Sequence, residues 1–184
     1  MAVIHPTTLK PTKLELLSTW LPTQAWYGGR GTPSLAKAGG FRLDDPAGEV
    51  GIELMIVTDT AGPEVVAYLV PLAYRAKPDE GTLIGTTRHG VLGLRYVYDG
   101  PTDSVFRSQV DALLRGEVAP QAQSESHTID QTVRVAVLPG ATCVEIVRRL
   151  GAASAAEPVR PGTVSAPWRD ADGAPNRGVV LRAH

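Results

Sequence analysis

Cysteine is almost missing from this sequence: Cys143 is the single one among 184 residues. That excludes an internal disulfide and removes the usual thiolate zinc sites. Cys143 lies in the apolar stretch Ala141-Thr142-Cys143-Val144, where a buried, inert thiol is expected. An excess of charge is missing too, because 18 Lys and Arg stand against 19 Asp and Glu for a net charge of −1. A near-neutral chain has no long-range field to draw in polyphosphate, so nucleic acid is not an expected partner. Long apolar runs are lacking: the longest, around Val65 to Leu72, is broken by Pro71 and falls far short of the ~20 residues a bilayer requires. No membrane association is expected. The start, Met1-Ala2-Val3-Ile4-His5-Pro6, has neither the basic residues nor the apolar stretch of a signal peptide, and a cytoplasmic location is the expectation. No lysine follows Lys77.

What is present is a punctuated, strand-rich pattern. Leu14, Leu17 and Leu21 at helical spacing, after Pro11 and before Pro22, predict a short amphipathic helix. The stretch from Pro22 to Gly40 reads as loop, because Gly28-Gly29-Arg30-Gly31 and Gly39-Gly40 interrupt it so often. Strands are predicted from Phe41 to Asp44, Val50 to Asp59, Glu64 to Arg75, Thr82 to Thr87 and Leu92 to Tyr98, joined by turn sequences such as Asp45-Pro46-Ala47-Gly48 and Pro78-Asp79-Glu80-Gly81. Short connections of this kind imply an antiparallel meander. Val105, Val110, Leu113 and Leu114, ended by Gly116, predict a helix of about four turns capped by Thr102 or Asp103. Beyond it, Thr132 to Leu138 reads as strand, Val144 to Leu150 as strand or helix, 151–162 as an Ala/Pro-rich linker, and two strands flank Asp170-Ala171-Asp172-Gly173. The expected class is α+β: a mainly antiparallel sheet of six or more strands with two principal helices, forming one domain over 1–184.

Signatures of catalysis are sparse. His5, His89, His127 and His184 lie in termini, a turn and a polar stretch, and no HExxH accompanies them. No serine sits in a G-x-S-x-G turn, and Asp170 and Asp172 lack the later Glu of a calcium loop, so they read as a hairpin turn. Neither Gly28-Gly29-Arg30-Gly31 nor Gly85-Thr86-Thr87-Arg88-His89-Gly90 matches a nucleotide-binding motif. No catalytic, metal or cofactor-binding residue is therefore assigned. Two groups are nominated for ligand or partner contact. Trp26 and Tyr27 beside Arg30 would suit a stacking shelf, while Trp20 is expected to pack the first helix on the sheet. Arg75, Arg88, His89 and Asp99 are the ionisable residues to expect in any pocket, against the alternative of ordinary strand-end charge pairing.

Three segments in order resemble the N-terminal cap region of actinobacterial maltokinases. These are Leu14-Glu15-Leu16-Leu17 with Trp26-Tyr27; Val70-Pro71-Leu72-Ala73-Tyr74-Arg75 followed by Leu83-Ile84-Gly85; and His89-Gly90 followed by Tyr96-Val97-Tyr98-Asp99-Gly100. The resemblance covers about 10–118, with 119–184 expected to add strands that complete the domain. Such kinases make maltose 1-phosphate from maltose and ATP, within a kinase-like fold bearing an added cap. Phosphoryl transfer needs a phosphate-binding lysine, a catalytic aspartate and metal-holding carboxylates. The string His127-Thr128-Ile129-Asp130 is one residue too long for a catalytic loop and lacks its Asn, so none of the kinase residues carries over. The resemblance therefore implies a non-catalytic accessory or interaction domain linked to α-glucan, trehalose or maltose metabolism, with an enzyme of that metabolism as partner and a homodimer open. The alternatives are a module binding a glycan or small sugar phosphate, and an enzyme of another kind.

Overall fold

A computed structural model describes residues 9–141, 143–151 and 160–184. The strands are β1 Leu9–Lys10, β2 Leu35–Leu43, β3 Val50–Asp59, β4 Val66–Arg75, β5 Leu83–His89, β6 Gly93–Asp99, β7 Arg134–Ala136, β8 Val144–Ile146, β9 Arg149–Leu150, β10 Thr163–Arg169 and β11 Pro175–Ala183. Helix α1 spans Lys13–Trp20 and α2 spans Ser104–Leu114. The strands form one sheet ordered β1-β5-β6-β4-β3-β2-β10-β11-β8, with β7 on β10 and β9 on β4, and every pair is antiparallel. This is the α+β class expected of the sequence, a largely meandering sheet with two helices.

Alternation along β3 and β4 explains the layering. Ile52, Leu54, Ile56, Leu69 and Ala73 share one face with Phe106, Val110 and Leu113 of α2 and with Trp168 and Val180 of the last hairpin. Met55, Val57, Tyr68, Val70 and Leu72 point the other way, onto Leu17, Trp20 and Leu21 at the first helix. Trp20 packs this helix on the sheet as anticipated. Thr12 starts α1 through a capping box with Glu15, so Pro11 precedes the cap instead of entering the first turn. Asp103 caps α2, its Oδ1 accepting from the Val105 and Phe106 amides at 2.9 and 3.0 Å. That helix has 11 residues, three turns where four were expected.

The Pro22 to Gly40 stretch is not loop throughout, because β2 begins at Leu35. Its glycines accommodate a bulge in place of ending the strand: the register shifts between Lys37 and Gly39, and Gly40 has φ +123° with its missing Cβ directed at the Leu54 carbonyl oxygen. A Cβ on Gly39 would lie 2.7 Å from the Pro167 carbonyl, where β10 crosses β2 at Trp168. The segment from Thr132 to Leu138 is strand only at β7, and Val144 to Leu150 divides into β8 and β9. Cys143 is exposed, not buried, because it lies outside β8 beside His184, exchanging backbone hydrogen bonds with it. Most of the expected linker, 152–159, lies outside the described residues. Asp170 and Asp172 do form the β10–β11 hairpin turn, receiving hydrogen bonds from Asn176 Nδ2 and Ala174 N.

Candidate functional site

β4 has β3 along its whole length on one side, while the other side is shared by two strands end to end. β6 pairs with Leu72 to Arg75, and β9 with Ala67 and Tyr68. Between them the Leu69 amide donates to the Arg148 carbonyl at 2.9 Å. Asp99 ends β6 and Arg148 precedes β9, and Arg148 Nη2 donates to both Asp99 carboxylate oxygens at 2.7 Å. The ion pair joins two strands that come from sequence positions 49 residues apart. Burial pushes the Asp99 carboxyl above its usual range, more than Arg148 pulls it down.

Trp26 covers this join. The Arg148 guanidinium carbon lies 4.8 Å from the centre of its ring, and Trp20 and Tyr68 meet Trp26 at 5.8 and 6.1 Å between centroids. Tyr27 is tied down as well: its hydroxyl donates to Asp59 Oδ2 at 2.6 Å, and its ring lies 5.4 Å from Tyr68. Burial, then Asp59, raises the Tyr27 hydroxyl well above its ordinary value. The other Asp59 oxygen accepts from Ser34 and Ala61 amides, so the loop is stitched to the ends of β3. Arg30 is exposed in that loop.

The other nominated residues are dispersed. Arg75 Nε donates to Asp103 at 2.6 Å and pairs with Asp79 at 2.9 Å. Burial raises the Asp103 carboxyl, but Arg75 and the helix amides outweigh it and hold it below the usual range. Arg88 and His89 lie at the far end of β5, where Arg88 faces Leu94. Asp99 is five residues further along β6 than Leu94, about 17 Å away, so these four residues do not converge. His89 Nδ1 accepts from the Val91 and Leu92 amides at 3.2 and 3.0 Å and fixes the β5–β6 turn.

A second polar centre went unforeseen. Glu53 is buried in the middle of β3, where Lys13 Nζ and the Tyr74 hydroxyl donate to its Oε2 at 2.5 and 2.7 Å and Gln123 Nε2 donates to its Oε1 at 2.9 Å. Burial pushes this carboxyl up, yet Lys13 and Tyr74 bring it below the usual range. The signal was one acid inside the apolar run Val50 to Val57; nothing in the sequence marked Lys13 or Gln123 as its partners. Arg148 and Tyr68 gave no signal either. Among the described residues no group of three or more His, Cys, Asp or Glu could hold a metal ion.

The fold and this region define a mixed α+β domain whose buried charges tie strands and helices together. Residues 20–103 match the family model of the maltokinase N-terminal cap domain, so the resemblance seen in the sequence is to a maltokinase-type cap. The match runs from the end of α1 to the cap residue of α2 and includes Trp26, Tyr27, Arg75, Arg88, His89 and Asp99, while Arg148 lies beyond it. None of the curated proteins compared matches the chain. No helix among the described residues is long and apolar enough to cross a membrane.

Proposed function

We propose that this chain is a non-catalytic accessory domain that binds a partner protein, in the setting of α-glucan, trehalose or maltose metabolism to which the cap family points. The observation that carries this reading is the use made of three of the four nominated ionisable groups, Arg88 being the exception. Asp99 is held by Arg148, Arg75 by Asp103 and Asp79, and His89 Nδ1 by two turn amides. Groups so occupied serve folding, and a general acid or base needs a free lone pair or proton directed at a substrate. The cap match supports the same reading, since it covers a cap and not a phosphotransferase lobe. The glycan alternative has less support: Arg148 occupies one face of Trp26 and Asp59 occupies the Tyr27 hydroxyl, leaving little for a sugar to stack on or bond.

The test is isothermal calorimetry of the purified chain against ATP-Mg, maltose and maltodextrin, beside affinity capture from the native host. Silence with all three ligands, with a glucan- or trehalose-metabolising enzyme captured, is the expected result. Heat with ATP-Mg, or turnover of any of these compounds, overturns the accessory reading. Heat with maltodextrin alone that is lost in Trp26→Ala, while the variant stays folded, would establish the glycan module instead.

A further inference from the structure

Alternation along β6 sends Leu94, Tyr96 and Tyr98 to the face that carries α2, and Arg95 and Val97 to the face that carries α1. Tyr98 is core, Tyr96 half-buried, and Leu94 40% exposed, so cover is lost stepwise toward the β5–β6 turn. The register continues the same face outward. Leu83 stands opposite Tyr98, Thr86 opposite Tyr96, Arg88 opposite Leu94, and Lys10 of β1 opposite Arg88. Leu83 is 47% exposed, and Thr86, Arg88 and Lys10 are exposed. On the opposite face the same strands lie under α1, where a Cβ on Gly85 would meet Leu16 at 2.8 Å. At the turn, the His89 hydrogen bonds hold a loop whose Val91 and Leu92 are 63% and 42% exposed. Four of the seven large apolar residues exposed among those described belong to this hairpin, so the exposure is concentrated instead of scattered.

Two features identify what covers it. Lys10 and Arg88 are like charges directly opposite each other on one face, an arrangement that costs stability, and among the described residues neither has an ion pair. Glu80, an exposed acid, precedes β5 at the other end of the strand. The strip therefore calls for carboxylates from outside. Its dimensions call for a helix: along β5 the exposed Leu83, Thr86 and Arg88 span about 14 Å, close to three helical turns, the length of the α2 that covers β3 on this same face. A bilayer suits it less, since recognition of anionic lipid uses clusters of about 4–8 basic residues and two are present here. A second copy would bring only Glu80, one exposed acid against the two cations Lys10 and Arg88.

Resting on the accessory reading, we infer that the outer strip of β1, β5 and β6, with Lys10 and Arg88 at its edge, docks an acidic amphipathic helix of a partner protein. The probe is a fluorescein-labelled, hydrocarbon-stapled 14-residue helical peptide with Leu at i, i+3, i+4 and i+7, Glu flanking that face and Ala elsewhere, its anisotropy followed against the whole chain. A control peptide carries Lys in place of Glu. The acidic peptide is expected to bind, at least tenfold more weakly to Lys10→Glu/Arg88→Glu and about fivefold more weakly to Leu94→Ser, with amide shifts confined to β5 and β6. These side chains are exposed, and melting curves of each variant check that it folds; the tip variant Val91→Ser/Leu92→Ser gives a second reading of the apolar contribution. Absence of binding, equal binding of both peptides, or binding indifferent to the charge reversal overturns the inference. So does dimerisation, or pelleting with phosphatidylserine vesicles, that the same reversal abolishes. A captured partner enzyme that binds wild type and Lys10→Glu/Arg88→Glu equally refutes this strip while leaving the accessory reading intact, whereas substrate turnover refutes that reading whatever the peptide does.

Discussion

Arg148→Ala is the sharpest test of the claim that an ion pair joins β6 and β9 beside β4. Removing one member of a buried pair costs about 3–5 kcal/mol, because the other charge is left without compensation. Asp99 and Arg148 keep 11% and 14% side-chain exposure, so water recovers part of that loss and about 2–3 kcal/mol remains. The lost stack on Trp26 adds about 0.5–1 kcal/mol. In a chain of this size each kcal/mol shifts Tm by about 2–4 °C, so a fall of roughly 5–16 °C is expected. The dependence on pH follows from Asp99, whose carboxyl burial holds above its usual value even with Arg148 present. A folded-state value above the unfolded one means that the neutral form favours folding, a contribution present at low pH and lost as pH rises through the folded value. Without Arg148 the carboxyl rises further and the loss grows. Urea denaturation should therefore show the widest gap between variant and wild type near pH 7, narrowing toward about pH 4 as the acid protonates. Arg148→Met/Asp99→Leu should recover most of the stability. A deficit at pH 7 under about 0.5 kcal/mol, or one unchanged at low pH, would refute the reasoning, since only an uncompensated buried charge gives both effects.

Glu53→Gln should cost about 2–3 kcal/mol at neutral pH and flatten the acid limb of the stability curve: the folded carboxyl lies below its unfolded value, so its contribution is present above that value and lost as pH falls through the folded one. Urea midpoints between about pH 3 and 7 check this, and an acid limb as steep as that of the wild type would contradict it. Gly40→Ala should cost about 3 kcal/mol or more by thermal denaturation, because its φ of +123° is strained for alanine and the new methyl meets the Leu54 carbonyl; Gly48→Ala, with φ +71° and no neighbour within 4 Å, should cost about 1. Thr12→Ala should lower stability by about 1 kcal/mol through loss of the capping box, and Asp103→Ala by about 2–3, since Asp103 both caps α2 and receives Arg75.

The strands from Val50 to Tyr98 were legible because each is a run of β-branched and aromatic residues closed by Pro, Gly or Asp, signals that need no knowledge of the rest of the chain. β2 was not. Its Gly39 and Gly40 read as breakers, and only the approach of β10 and of the Leu54 carbonyl shows why a strand needs residues without side chains there. The exposure of Cys143 was missed for a similar reason: its neighbours are apolar, yet β8 is an edge strand of three residues and buries little. The choice between strand-end charge pairing and a pocket for Arg75 and Asp99 was visible as a choice, but its partners were not. Pairing over 49 residues, as between Arg148 and Asp99, leaves no periodic trace.

The cap match ends at residue 103, but the forces that hold the matched segment do not. Gln123 supplies a donor to buried Glu53, Gln121 exchanges backbone hydrogen bonds with Arg42 of β2, Arg148 neutralises Asp99, and Trp168 closes over Gly39. Each of these comes from the unmatched half, and each meets a group of the matched half that would be costly to leave open: a buried carboxylate, a sheet edge, an apolar face. The unmatched part thus supplies much of this cover, with Tyr74 adding one donor to Glu53 from within the match, since a carboxylate as enclosed as Glu53 or Asp99 keeps its charge only beside donors and cations at hydrogen-bond distance. What it leaves uncovered is the opposite end of the sheet, along β5, β6 and the Lys10–Arg88 pair. The contrast between a completed side and an unfinished one is the physical ground for looking to β5 and β6 for the partner.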